Sequence, residues 1–202
     1  MIEQHPLKPF LPDGARLLML GSFPPARHRW CMDFFYPNFT NDMWRIFGLC
    51  LHGDKSFFVD EEHRTFRREA IEQMLHEQGI AIYDTAEEVI RTKNTASDKD
   101  LEVARPTDLK ALISQLPSLQ AIVTTGEKAT ALAAAQLGVE VPKVGTFVDC
   151  SWQDNHHGST RSLRLYRMPS SSRAYPMKVE RKAEYYKEVI GKRKVEGKLK
   201  GS

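Results

Sequence analysis

Apolar residues fall along this chain in short blocks that alternate between two spacings. Leu17-Leu18-Met19-Leu20 is a continuous apolar run stopped by Gly21 and then by Pro24-Pro25. A run bounded in this way predicts a strand buried on both faces, opening into a loop at its carboxyl end. Ile80-Ala81-Ile82-Tyr83 before Asp84, Leu119 to Thr125, and Ser162 to Met168 before Pro169 repeat the pattern, with further strand material near Val144 to Val148. Between these blocks the spacing becomes helical. Asn41 to Leu51 places Met43, Trp44, Phe47 and Leu51 on one face, with Asn41 or Asp42 available as the cap. Glu61 to Gln78 carries a stripe of Phe66, Ala70, Ile71, Met74 and Leu75, and Gly79 supplies its stop. A helix opening at Pro106 or Thr107 turns Leu109, Leu112, Ile113 and Leu116 inward and closes at Pro117. An alanine-rich helix follows Gly126 and ends at Gly138, and the last helix spans Lys178 to Ile190. His5 to Gly14 reads as an extended lead-in, and the chain between Glu87 and Leu101 as polar and irregular.

Strands alternating with helices predict an α/β domain with a mainly parallel sheet and helices on both faces. No internal repeat or second domain is visible, so one domain over residues 1–190 and a basic tail over 191–202 are expected. With 41% hydrophobic and 27% charged residues, the 202-residue chain can build a real core and is unlike a disordered one. No apolar stretch approaches the ~20 residues of a membrane span. Met1-Ile2-Glu3-Gln4-His5-Pro6 lacks the basic-then-apolar pattern of a signal peptide, so no membrane partner and a cytoplasmic location are expected. Cys31, Cys50 and Cys150 match neither a disulfide framework nor a metal spacing, and read as ordinary thiols.

The net charge of +3 permits nucleic-acid binding without requiring it. Its placement says more. Arg27, His28 and Arg29 follow the first loop, and Arg161, Arg164, Arg167 and Arg173 surround the second. From Arg29 to Trp44 the chain is dense in aromatics and amides, the groups that stack a nucleobase and read its edge. Core packing accounts for Trp44 and for one of Phe34 and Phe35. It accounts less well for Tyr36-Pro37-Asn38, although Asn38 also suits a turn. Asp33 and Asp84 are the carboxylates nearest the expected cleft, as base or electrostatic stabiliser, or as loop anchors. Ser170, Ser171 and Ser172 lack a G-x-S-x-G elbow, so phosphate contacts suit them better than nucleophilic chemistry. Asp154, His156 and His157 lack a spaced third ligand and read as a polar loop, so no metal is expected.

Together these segments resemble the uracil-DNA glycosylase superfamily, closest to its hypoxanthine-DNA and mismatch-specific branches. Gly21-Ser22-Phe23-Pro24 is similar to the first motif, a G-x-x-P turn, and Asn41-Asp42-Met43-Trp44 to an N-x-F-W element. Met168-Pro169-Ser170-Ser171-Ser172 resembles the second motif, which lies along the DNA minor groove. Gly79 to Asp84, followed by Arg91 and Ala96-Ser97-Asp98, is similar to a G-L-W-D…R…S-L-D pattern, and Thr125 to Ala129 to a strand-to-helix turn. The resemblance implies a three-layer α/β/α sandwich around a four-stranded, mainly parallel sheet, with DNA at the strands' carboxyl edge. It implies a monomeric, cofactor-free N-glycosylase that flips a deaminated or mismatched base out of DNA and hydrolyses its N-glycosidic bond in base excision repair. Asn41 would position water, with Asp33 as the supporting carboxylate. Gly21, Ser22, Phe23, Tyr36 and Asn38 would form the base pocket, Tyr36 stacking on the base. Arg167, Pro169, Ser170, Ser171, Ser172 and Arg173 would contact DNA. Two positions depart from the pattern: Phe23 stands where an Asp or Asn is usual, and Met168 where a His or Asn is usual. Neither side chain activates water, so a binding module of the same fold without the chemistry is the alternative. An enzyme acting on free nucleosides is a third possibility.

Overall fold

The computed structural model describes residues 1–92, 100–153 and 160–191. In chain order the elements are β1 (Ile2–Gln4), β2 (Leu17–Gly21), α1 (Met43–His52), β3 (Val59–Asp60), β4 (Thr65–Phe66), α2 (Arg68–Gln78), β5 (Ile80–Asp84) and β6 (Ala86–Arg91). They continue with β7 (Leu101–Pro106), α3 (Leu109–Ser114), β8 (Ala121–Thr125), α4 (Glu127–Leu137), β9 (Thr146–Gln153), β10 (Thr160–Met168) and α5 (Val179–Ile190).

The central sheet has five strands in the order β5-β2-β8-β10-β9. Four of them, β5, β2, β8 and β10, run parallel, and β9 pairs antiparallel with β10. The expected four-stranded sheet is therefore corrected to five, because the chain before β10 returns as a hairpin partner along its outer edge. Every residue of β2 and β5 is buried, as the uninterrupted apolar runs require. From β2 the chain crosses to β5 on one side, then from β5 to β8 on the other. With right-handed crossovers, that reversal puts α1 and α2 on one face and α3 and α4 on the opposite one. The observed packing of α1 on α5 and of α3 on α4 agrees. The reversal also makes the carboxyl ends of β2 and β8 a topological switch point, where an open α/β sheet leaves a crevice.

Two segments differ from the expected elements. The helix expected from Glu61 begins only at Arg68, because β3 and β4 form a hairpin pairing Val59 with Phe66. The Asp60 carboxylate takes the His63 backbone N–H at 3.1 Å, and Arg64 turns the chain at a φ of 49°. Phe66 is thus buried on a strand rather than on a helical stripe. The segment expected to be irregular after Glu87 contains β6 and β7, which with β1 make a three-stranded antiparallel sheet. A register irregularity between Ala86 and Val89 breaks the period-two alternation there, which hid the strand. The tail from residue 192, the Ala96-Ser97-Asp98 element and the Asp154, His156 and His157 cluster lie outside the described residues. Among the described residues, no helix is long and apolar enough to cross a membrane.

Candidate active site at the carboxyl edge of the sheet

A cavity of about 1090 Å³ opens over the switch point. Its floor and walls come from the loops that leave β2, β5, β8 and β10, together with the Tyr36–Asn41 segment. Of the residues singled out in the sequence, Gly21, Ser22, Phe23, Tyr36, Asn38, Asn41, Arg167 and the Pro169–Arg173 loop all line it. Asp33 does not. Its side chain is 64% exposed and ion-paired with Arg27, outside the cavity, so it is withdrawn as a candidate catalytic group. Of the two aspartates expected near the cleft, the one that lines the cavity is Asp84, at the end of β5.

Asp84 is held from behind by a residue the sequence reading missed. The His5 ring, in the lead-in, meets Asp84 Oδ2 through Nε2 at 2.8 Å, with side chains only 3% and 8% exposed. The ring is boxed by aromatics, lying 4.7 Å from Tyr83 and 5.3 Å from Phe23 between ring centroids. No local motif marks His5, since its partner is 79 positions away. Gly21 faces the other oxygen. A Cβ at that position would run into Asp84 Oδ1 and lie 3.3 Å from Tyr36 Oη. Glycine is required there by close approach, so that the carboxylate can lie against the β2 turn. Burial, followed by the charges of Glu87 and Asp84, pushes the neighbouring Tyr83 hydroxyl up to about 12.

Tyr36 adopts a left-handed backbone with a φ of 50°. Its ring lies edge-on to Trp44, with centroids 6.0 Å apart, and its hydroxyl pairs with Thr125 Oγ1 at 3.2 Å, linking the aromatic segment to β8. Asn38 closes a turn: its Oδ1 accepts from both Thr40 N–H at 3.0 Å and Thr40 Oγ1 at 2.9 Å. Only its amide N–H groups are left to face a ligand. Asn41 stands one residue before the N-cap position, which is Asp42. The Asn41 Oδ1 accepts from Met43 N–H at 2.9 Å at the start of α1, and the residue lines the cavity. A carbonyl oxygen has two lone pairs, so this bond leaves one for a water molecule.

The two departures from the motif pattern are core residues. Phe23 is 9% exposed and packs with Ala86, Val89 and Leu101, while Met168 is 2% exposed within the main core. Opposite Phe23, the Ser170–Arg173 loop is fixed by several contacts. Pro169 O accepts from the buried Tyr186 hydroxyl at 2.8 Å, and Ser171 O accepts from Asp42 N–H at 2.9 Å. Asp42 Oδ1 pairs with Arg173 at 3.1 Å and Oδ2 with the Lys182 ammonium at 2.9 Å. Asp42 holds the N-cap position of α1 without a side-chain cap bond; its carboxylate instead ties the loop to α5, a role that its partner 140 residues away kept out of the sequence pattern. Arg29, Arg91, Lys128, Arg167 and Arg173 ring the cavity, against Asp84 and Glu127. Nε of Arg29 and Nε of Arg167 are buried with no hydrogen-bond partner among the described residues. Arg91 donates to Pro24 O at 2.6 Å and to Glu3 at 3.0 Å, which fixes the β2 loop.

No protein-family model and no curated protein matches the chain. Among solved structures, the solution NMR structure of a "putative Uracil DNA glycosylase" from Methanosarcina acetivorans is similar, with a TM-score of 0.61. The likeness covers 95% of this chain and 98% of that one at 20% sequence identity. At that identity the likeness establishes a shared fold, a helix-flanked, mostly parallel sheet of the kind expected from the sequence.

Proposed function

We propose that this chain is a DNA glycosylase that removes a deaminated base, by base flipping and hydrolysis of the N-glycosidic bond in base excision repair. One observation carries the reading: a buried carboxylate (Asp84), an aromatic ring (Tyr36), an amide (Asn41) and a ring of cations line a single cavity at the sheet's switch point. An extruded base would stack on Tyr36, a contact worth ~1–3 kcal/mol per base. The Asp84 carboxylate, backed by His5 at 2.8 Å, presents acceptor oxygens to the cavity. That suits deamination chemistry. Converting cytosine to uracil, or adenine to hypoxanthine, replaces a ring-nitrogen acceptor with a ring N–H. A fixed acceptor therefore pairs with the deaminated base and leaves the normal one facing a like lone pair. The cation ring and the Ser170–Arg173 loop supply phosphate contacts. As the glycosidic bond breaks, its electron pair leaves with the base and the sugar becomes electron-poor at C1′. Water held by Asn41 adds its oxygen there, and its proton ends on the base nitrogen.

The burial of Phe23 and Met168 favours a second reading, a lesion-binding protein of the same fold without turnover. Excess purified protein incubated with duplexes carrying uracil, hypoxanthine or xanthine separates the two. Release of at least one of these bases, with cytosine and adenine left in place, is expected. Asn41→Ala should slow release by about 100-fold with DNA binding retained. Binding to these duplexes with no base released from any of them overturns the enzyme reading.

A further inference from the structure

We infer that Lys182 is a positioning residue, which sets the catalytic amide and the DNA-contacting loop at a fixed separation from beneath both. Its side chain is wholly buried on α5, with 0% exposure, and it reaches two different segments. The ammonium donates to Asp42 Oδ2 at 2.9 Å and to the Ser172 carbonyl at 2.7 Å. The Tyr175 ring, 5.9 Å away, offers its face to the same charge. Two of the ammonium's three donors are thus used in hydrogen bonds, and the aromatic ring stands nearby. One partner follows Asn41 directly in sequence. The other belongs to the loop after β10. The Asp42 N–H to Ser171 O bond at 2.9 Å closes the circuit between them.

A buried ion pair contributes little net stability compared with an apolar pair of the same shape, because both charges must be desolvated. Its worth lies in direction: a charge-assisted hydrogen bond fixes where Asp42 and Ser172 sit, which an apolar contact does not. Arg173, the other partner of Asp42, is 59% exposed and free to leave for a phosphate. Lys182 then keeps the Asp42 charge compensated while Arg173 is on DNA. Asp42 is in this way a hub with one permanent and one exchangeable cation.

The catalytic part of this inference rests on the glycosylase reading; the geometric part does not. The test compares the full-length wild type with Lys182→Met and with the charge-neutral pair Asp42→Asn/Lys182→Met. The paired variant keeps the test decisive if the single variant, which strands a buried carboxylate, fails to fold. Thermal unfolding, hydrogen exchange at the Asp42 amide and single-turnover base release are measured on each. The paired variant is expected to unfold near the wild-type temperature while its Asp42 amide loses protection. Its single-turnover rate should fall by about tenfold or more, with DNA affinity within about threefold of wild type. Wild-type rate and wild-type protection in the folded paired variant overturn the inference. If the wild type itself releases no base, the glycosylase reading falls alone. The Asp42 amide then decides, and equal protection in the wild type and the paired variant overturns the clamp.

Discussion

On one side of the cavity, Asp42, Arg173 and Lys182 tie the Ser170–Arg173 loop to the start of α1 through directed charge. On the other side, Phe23, Ala86, Val89 and Leu101 close the β6–β7 hairpin over the β2 loop by apolar contact. The two walls should fail differently. Apolar packing loses stability in proportion to the volume removed. A buried ion network fails abruptly when one member is lost, yet tolerates replacement of the whole pair. The charged wall therefore suits groups whose position must be exact to fractions of an ångström, and the apolar wall suits groups that only shape the space.

The sharpest challenge to this contrast is Phe23→Ala. It should cost about 3 kcal/mol in chemical denaturation, because a ring buried in a small satellite core leaves a cavity. Its effect should fall on the hairpin, with the Asp42 amide still protected from exchange. Loss of protection at Asp42 would show that the walls are one cooperative unit. Gly21→Ala acts beside the base-reading carboxylate, with a new Cβ that Asp84 Oδ1 must move away from. A cost of about 1–3 kcal/mol is expected, with weaker discrimination between hypoxanthine and adenine in base release. Unchanged selectivity would remove Asp84 from the base-reading role. The smallest effects concern alkaline stability. Burial raises the Cys50 thiol, on α1 behind the charged wall, from 9.0 to about 12. The Tyr83 hydroxyl, beneath the His5–Asp84 pair, is raised from 10.0 to about 12. Each folded-state group holds its proton more tightly than the unfolded chain does. The stability this confers is complete below the unfolded value and is lost as pH rises toward the folded one. Urea denaturation of Cys50→Ala and Tyr83→Phe between pH 9 and 12 should show, for each variant, a shallower decline than wild type. Wild-type slopes in both would show that neither proton is held by folding.

The parallel core was legible because its strands are apolar throughout and end at glycine, aspartate or proline, as Leu17 to Gly21 does. Tyr36, Asn41 and the Ser170–Arg173 loop were legible as aromatic and polar groups placed beside strand ends. What stayed hidden had non-local causes. Phe66 fits a helical stripe in sequence, but the turn closed by Asp60 makes it a strand residue. Asp33 lies within the aromatic segment yet finds Arg27 in solvent, while Asp84 is selected by a histidine from the lead-in. Lys182 reads as one more surface lysine on an amphipathic helix, and only the packing of α5 against α1 shows it buried.

Strand β10 is hydrogen-bonded on both edges, and the loop that leaves it is fastened at Pro169 O and Ser172 O by α5. The backbone of that loop is fastened when the chain folds, so only exposed side chains such as Arg173 are left to order at the moment of encounter. Under the proposed function, the partner that must rearrange is then the duplex. Extrusion is easiest for a nucleotide already weakly paired. A stiff loop of this kind makes the looseness of a damaged base in its own helix the first sieve, ahead of any contact that reads its edge.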